Sequence, residues 1–151
     1  MISSYSSLDF LSNGKYIACR DFLTVKIWDV CKTNKPVACI TVQDALKTKL
    51  CEIFENDSIF DKFNIAASKD SNTILTGNYN NTFHMIDTNE LQNTQYEINY
   101  KKQTVTRPMI SGKSSQLTKM DYFRKTVACD FHPKKNMLAV ASLNCFFTYS
   151  M

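Results

Sequence analysis

The chain has 151 residues, of which 44% are hydrophobic and 21% charged, with a formal net charge of +4. That is the composition of a globular domain with its own core. No stretch approaches about eighteen apolar residues and no basic segment leads into an apolar run at the start, so neither a membrane span nor a signal peptide is expected, and a charge this modest does not call for nucleic acid.

The first 42 residues read as four short strands. A strand at 6–10 stops at Ser12-Asn13-Gly14. A second, at 16–19, runs to an Arg20-Asp21 turn. A third, at 24–28, alternates Val25 and Ile27 with polar neighbours, and a fourth, at 37–42, follows Pro36. This meander resembles one blade of a WD-repeat β-propeller. Trp28-Asp29 matches the dipeptide that closes the third strand, and Asp21 matches the turn aspartate before it.

Residues 43–62 break the pattern. The run "KLCEIFENDSIFDKF" (49–63) places apolar residues near helical spacing with acids between them. Leu50, Ile53 and Phe63 are the expected buried face of a short helical insertion.

Blade-like patterns return twice. Strands are expected at 63–67, 73–77 and 82–86, with Asn80-Asn81 as a turn and Ile86-Asp87 as the closing pair. A third set is expected at 126–131, 137–142 and 145–149, with a turn at His132-Pro133. The closing positions Asp29, Asp87 and Ser150 stand 58 and 63 residues apart. A plain repeat needs about 40–45, so the surplus falls at 43–62 and 88–124. The second of these holds Lys101, Lys102, Arg107, Lys113, Lys119, Arg124 and Lys125 among Ser, Thr and Pro, and 101–124 is expected to be a mobile loop. Tyr100, Tyr122 and Phe123 are too few aromatics for a nucleic-acid platform. Tyr16, Trp28, Phe83 and Phe146 are the expected core between blades.

The fold expected is therefore all-β. It is a WD-repeat propeller fragment of about three blades, at 2–42, 63–100 and 125–150, the last incomplete, with a helical insertion near 44–62. The six cysteines form no C-x-x-C pair and read as reduced thiols. His84 and His132 lie too far apart in sequence to suggest a zinc site. With three glycines there is little material for a phosphate loop, and no catalytic constellation stands out. No metal, cofactor or enzymatic activity is expected.

Together, "RDFLTVKIWDV", "KLCEIFENDSIFDKF", "LTGNYNNTFHMID" and "DFHPKKNMLAVAS" resemble the B-type, WD-repeat regulatory subunits of protein phosphatase 2A, over about the C-terminal third of such a subunit. The resemblance implies a non-catalytic targeting role. The implied partners are the phosphatase catalytic subunit, the scaffold subunit and phosphoprotein substrates, with no small-molecule ligand and no membrane. It also implies that the insertion docks substrates through Phe54, Glu55, Asp57, Phe60 and Lys62. Asp21, Trp28, Asp29 and Asp87 would be structural. A cytoplasmic and nuclear setting is expected. The second reading is a generic WD-repeat scaffold in another complex.

Overall fold

A computed structural model describes residues 4–70, 72–98 and 120–150, and the backbone of 106–109. The first sheet is an antiparallel meander of β1 (Ser7–Phe10), β2 (Tyr16–Arg20), β3 (Thr24–Asp29) and β4 (Ala38–Thr41). The second sheet has five strands in sequence order: β5 (Ile65–Ala67), β6 (Thr73–Gly77), β7 (Thr82–Asp87), β8 (Asn93–Glu97) and β9 (Thr106–Met109). The third has β10 (Thr126–Phe131), β11 (Met137–Ser142) and β12 (Cys145–Ser150). Between the first two sheets lie a 3-10 turn (Asp44–Lys49), helix α1 (Leu50–Glu55) and a second 3-10 turn (Ser58–Phe60). No helix among the described residues is long and apolar enough to cross a membrane.

Strand chemistry explains the blades. Along β3 alternate residues are buried, with Val25, Ile27 and Asp29 turned to one side. β11 repeats this with Leu138, Val140 and Ser142. Two layers of apolar side chains result. Leu11, Ala18, Val25, Ile27, Ile40 and Val42 of the first blade pack on Ile65, Ile74 and Ile86 of the second. Leu75, Phe83 and Ile98 of the second pack on Cys129, Leu138, Val140 and Tyr149 of the third.

The turns are built as their residues demand. Asp21 is buried, and its carboxylate accepts from the Leu23 and Thr24 amides at 3.0 and 2.6 Å. It also takes the Thr24 hydroxyl at 2.7 Å and Lys26 Nζ at 2.6 Å. Burial alone would raise its pKa, but Lys26 and Thr24 together hold it below the ordinary carboxylate value. Asp29 accepts the Cys31 amide at 2.8 Å, and Asp87 accepts the Asn89 amide at 2.7 Å. These three acids are turn braces. Asn80 and Asn81 have φ of 58° and 54°, with Thr82 N–H donating to the Tyr79 carbonyl at 3.2 Å. That is the left-handed pair a tight hairpin turn requires, and Asn tolerates it. His132 Nδ1 accepts from the Lys134 and Lys135 amides at 2.9 and 3.0 Å, a turn role.

Two elements differ from the sequence expectation. Thr106–Met109 forms β9 within the segment expected as a loop; it extends a second blade whose fourth strand, Asn93–Glu97, has no apolar alternation to announce it. The rest of that stretch up to 119, including Lys101, Lys102, Lys113, Lys119 and Tyr100, lies outside the described residues. Among the expected core aromatics, Phe83 is fully buried, but Trp28 and Tyr16 are half-buried and Phe146 is 77% exposed. Phe146 points off the face of the third blade that turns away from the second, where no described residue covers it.

The first junction also contains a polar chain. Gln43 Nε2 donates to Asn78 Oδ1 at 2.7 Å. Asn78 Nδ2 meets His84 Nε2 at 2.8 Å, and His84 Nδ1 meets Asn93 Oδ1 at 2.8 Å. Asn93 Nδ2 returns to the Thr41 carbonyl at 3.0 Å. The amides fix a neutral imidazole, with Nε2 accepting and Nδ1 donating. Burial, only partly opposed by Asn93, pushes the His84 pKa down to about 4.

Two outcomes follow from these contacts. A Cβ on Gly77 would lie 1.8 Å from the Thr126 carbonyl oxygen, so Gly77→Ala forces β6 and β10 apart and is expected to cost about 2–4 kcal/mol, read as a lower urea midpoint. For His84, the folded pKa lies below the ordinary 6.5, so the unfolded chain binds more protons between those values. Stability is therefore level above about pH 6.5 and falls by about 2–3 kcal/mol as pH drops toward about 4. Urea unfolding across that range should show this slope in the native chain and a shallower one in His84→Gln.

Candidate docking site

The insertion buries one side and displays the other. Leu46 and Ile53 are fully buried, a spacing of two helical turns, and Phe63 follows at 1% exposure. They join Phe22 and Tyr79 in a third apolar cluster, flanked by Leu23, Ile59, Met120 and Tyr122. Leu50, expected inside, is half-buried. Tyr79 supports the whole segment. Its ring meets Phe63, Tyr122 and Phe22 edge-on at centroid distances of 5.0, 5.4 and 6.4 Å. Its hydroxyl lies 3.0 Å from the Ser58 carbonyl and 2.8 Å from Asp61 Oδ2. Burial, reinforced by Asp61, raises the Tyr79 phenol well above its usual range, so it stays a donor. Asp61 Oδ1 is in turn ion-paired with Lys125.

A second segment, 120–125, closes over the same turn. Asn80 Oδ1 accepts the Asp121 amide at 2.7 Å, and the Asn81 amide donates to the Arg124 carbonyl at 2.9 Å. Between this segment and the insertion lies a cleft of about 730 Å³. Glu52, Asp57, Asp61 and Asp121 line it, with Lys125 the single cation among the lining residues and Tyr122 and Phe123 on one wall. Lys125 is engaged by Asp61, and Asp121 pairs with Arg124 at 3.3 Å. Glu52 and Asp57 form no ion pair among the described residues, so the cleft carries negative potential. Burial, with the Glu52 carboxylate nearby, pushes the Tyr122 phenol up.

The five docking residues expected from sequence all face solvent. Phe54 is 63% and Phe60 66% exposed, and Glu55, Asp57 and Lys62 are exposed too. Asp57 alone of the five lines the cleft. It sits at φ 56° where α1 hands over to the second 3-10 turn, a left-handed position that Asp tolerates better than most residues. Glu52, Asp61, Asp121, Tyr122, Phe123 and Lys125 were not legible as site residues, because 120–125 reads as loop and its partners lie forty or more residues away in sequence. Among the described residues no group of three His, Cys, Asp or Glu side chains could hold a metal. All six cysteines are free thiols, and burial pushes the Cys129 thiol up to about 12.

The blades, their turn acids and the closing Trp28-Asp29 pair define a segment of a WD-type β-propeller. Solved structures agree on the fold. The chain superposes on U3-55K with a TM-score of 0.52 at 10% identity, over 93% of this chain and 33% of that one. On the β-propeller domain of Cps50 (Swd1) from Myceliophteria thermophila the TM-score is 0.56 at 10% identity, over 97% and 38%. In sequence the chain resembles the WD-repeat regulatory subunits of protein phosphatase 2A. It is 39% identical over 164 aligned residues to the serine/threonine-protein phosphatase 2A regulatory subunit phr2AB of Dictyostelium discoideum. That match takes in 99% of this chain and 34% of the relative, so the chain spans about a third of that relative's length. No protein-family model matches the chain.

The support beneath the site can be tested apart from docking. Tyr79→Phe removes the donor to Ser58 and Asp61 while keeping the ring. Expected is a loss of about 1–2 kcal/mol, with faster amide exchange in 52–63 and little change in β6 or β7.

Proposed function

We propose that this chain is part of a regulatory, targeting subunit of a serine/threonine protein phosphatase 2A assembly, and that the acidic cleft with its exposed aromatics is where it holds phosphoprotein substrates. The observation that carries the reading is the 39% identity to a phosphatase 2A regulatory subunit in a match that takes in 99% of this chain. The geometry supplies the physical means. Phe54, Phe60 and Phe123 are large apolar side chains left in water, the kind of anchor that dominates binding energy once covered. Glu52, Glu55 and Asp57 are acids without cation partners among the described residues, suited to Lys and Arg side chains flanking a phosphosite. Such charges steer encounter and set register more than they add affinity. Lys62 takes an acid on the docked segment.

The chain performs no bond-breaking itself. Holding a substrate raises the local concentration of its phosphosite near the active site of the catalytic subunit, while the scaffold subunit fixes the geometry between them. We assign a reducing setting, cytoplasm or nucleus, in which the six thiols stay free.

Affinity capture of the tagged chain from cells provides the test. The wild type should recover phosphatase catalytic subunit and phosphoproteins. Glu55→Lys combined with Phe60→Ala should cut phosphoprotein recovery by roughly tenfold, the loss of one modest anchor, with recovered catalytic subunit unchanged. Stable partners without any phosphatase would instead identify a generic WD-repeat scaffold, and undiminished substrate recovery by the double variant would remove the docking role.

A further inference from the structure

We propose that the end of the blades opposite the acidic cleft binds a phosphorylated protein segment, with the phosphate held by Lys69, Lys134, Lys135 and His132 and a neighbouring apolar side chain held in an adjoining cleft. Strands β5 and β10 set the arrangement. Both start on the side of the acidic cleft, β5 just after Phe63 and β10 directly after Lys125. Both end in turns on the far side, β5 running into Ser68 and Lys69, and β10 into His132 and Pro133. Between these two turns, over the junction of the second and third blades, lies a pocket of about 180 Å³.

The pocket is cationic. Lys69, Lys134 and Lys135 line it, and none of them forms an ion pair among the described residues. Asp70 is the single carboxylate among the lining residues, and its oxygens already have donors. Oδ1 accepts the Ser68 hydroxyl at 2.5 Å and the Asn72 amide at 3.2 Å, and Oδ2 accepts Asn72 Nδ2 at 3.3 Å. These bonds, that from Ser68 foremost, hold its pKa below the ordinary carboxylate value. Asp70 thus braces its own turn and leaves the three lysines to an outside anion. His132 adds a donor of fixed position. Its Nδ1 accepts from the Lys134 and Lys135 amides at 2.9 and 3.0 Å, so a neutral ring carries its proton on Nε2, at the opposite edge. Three ammonium groups on separate stems and one ring N–H can approach an anion from several directions. That suits a tetrahedral, doubly charged phosphate monoester better than a planar carboxylate.

The adjoining surface favours a phosphate carried on a protein segment. Asp70 and Asn72 also line a second cleft, of about 450 Å³, over the junction of the first and second blades. Buried Leu11 and Ile27 contribute to it, and Val37 and Leu91 beside them are 60% and 46% exposed. Leu91 is held at φ 55°, a left-handed conformation that a bulky residue adopts only where the surroundings impose it. Asn13 and Asn89, also lining this cleft, carry amides that can bond an extended backbone. A peptide with a phosphorylated residue and a nearby leucine meets both clefts at once. A planar lipid surface cannot fill two recesses, and the cationic pocket has no exposed aromatic ring on which a nucleic-acid base would stack. The site lies a strand's length from the acidic cleft and does not rest on the phosphatase reading.

Nuclear magnetic resonance titration tests this with a short peptide carrying one phosphoserine and a nearby leucine, and with its unphosphorylated twin. The phosphopeptide should shift the amide signals of Lys69, Leu91 and 134–136 to saturation, and inorganic phosphate should displace it. The unphosphorylated twin, and Lys69→Glu or Lys135→Glu with the phosphopeptide, should each bind about tenfold more weakly, the loss of one charge-assisted contact. His132→Asn keeps an acceptor for the two amides but removes the Nε2 donor, and should weaken binding about threefold. All three variants should keep the wild-type urea midpoint, and Phe60→Ala on the insertion should bind the phosphopeptide as the wild type does. Equal binding of the two peptides overturns the proposal, as do shifts that never saturate, lysine variants that bind normally, or a phosphopeptide lost on Phe60→Ala. Binding to vesicles containing phosphatidylinositol phosphates, without binding to the phosphopeptide, would identify a lipid surface and overturn it too.

Discussion

The Tyr79 hydroxyl is the point on which the upper part of the molecule depends. It reaches the Ser58 carbonyl and the Asp61 carboxylate from the end of a blade hairpin, and its ring is walled by aromatics from the first blade, the strand entry at Phe63 and the 120–125 segment. Three pieces of chain far apart in sequence are held to one another there. A helix of six residues has too few internal hydrogen bonds to persist alone. It persists because Leu46 and Ile53 sink into the cluster around this tyrosine. The exposed face of the insertion is thus a consequence of what happens on its underside.

The blades themselves were legible because their physics is local. Alternation, the Asp21 turn and the Asn80-Asn81 hairpin each draw on residues a few positions apart, and the strands Thr73–Gly77, Thr126–Phe131 and Met137–Ser142 lie where the pattern puts them. What escaped is what depends on distant partners. Asn93–Glu97 has one apolar anchor, Tyr96, stacked on Phe83, and becomes a strand because β7 offers it an edge rather than through any alternation of its own. Phe146 carries the sequence signature of a core aromatic, yet whether it is covered depends on a neighbouring blade. The cleft was half legible: exposure of Phe54 and Phe60 fits an insertion with one buried side, but its opposite wall, Asp121 to Lys125, is brought in by hydrogen bonds to the Asn80-Asn81 turn that no spacing in the sequence reveals.

The first junction shows why the arrangement is rigid enough to present such a face. Apolar side chains supply most of the contact, but they specify orientation weakly. The chain from Gln43 through Asn78, His84 and Asn93 to Thr41 adds direction, since each amide and the imidazole must be aligned for every link to form. Arg20 adds a constraint of another kind. It is fully buried above the Phe63 ring at 5.6 Å, with desolvation pushing its pKa down to about 10. A guanidinium held there keeps its charge at neutral pH, and moving the first blade would strip it of the Phe63 ring it faces across the junction.

The acids divide into two populations, and the division separates architecture from display. Asp21, Asp29 and Asp61 are each engaged by amides, hydroxyls or a lysine within their own fold. Their charge is already compensated, so they have little left to offer a partner. Glu52, Glu55 and Asp57 lie within six residues of one another, are exposed, and have no cation of their own among the described residues. Composition cannot tell these groups apart, since both are carboxylates among apolar neighbours. The number of donors already spent on each oxygen can. A surface selects a basic partner only through charge left unspent, and the insertion gathers three such acids on its outer side, above a tyrosine that keeps it in place.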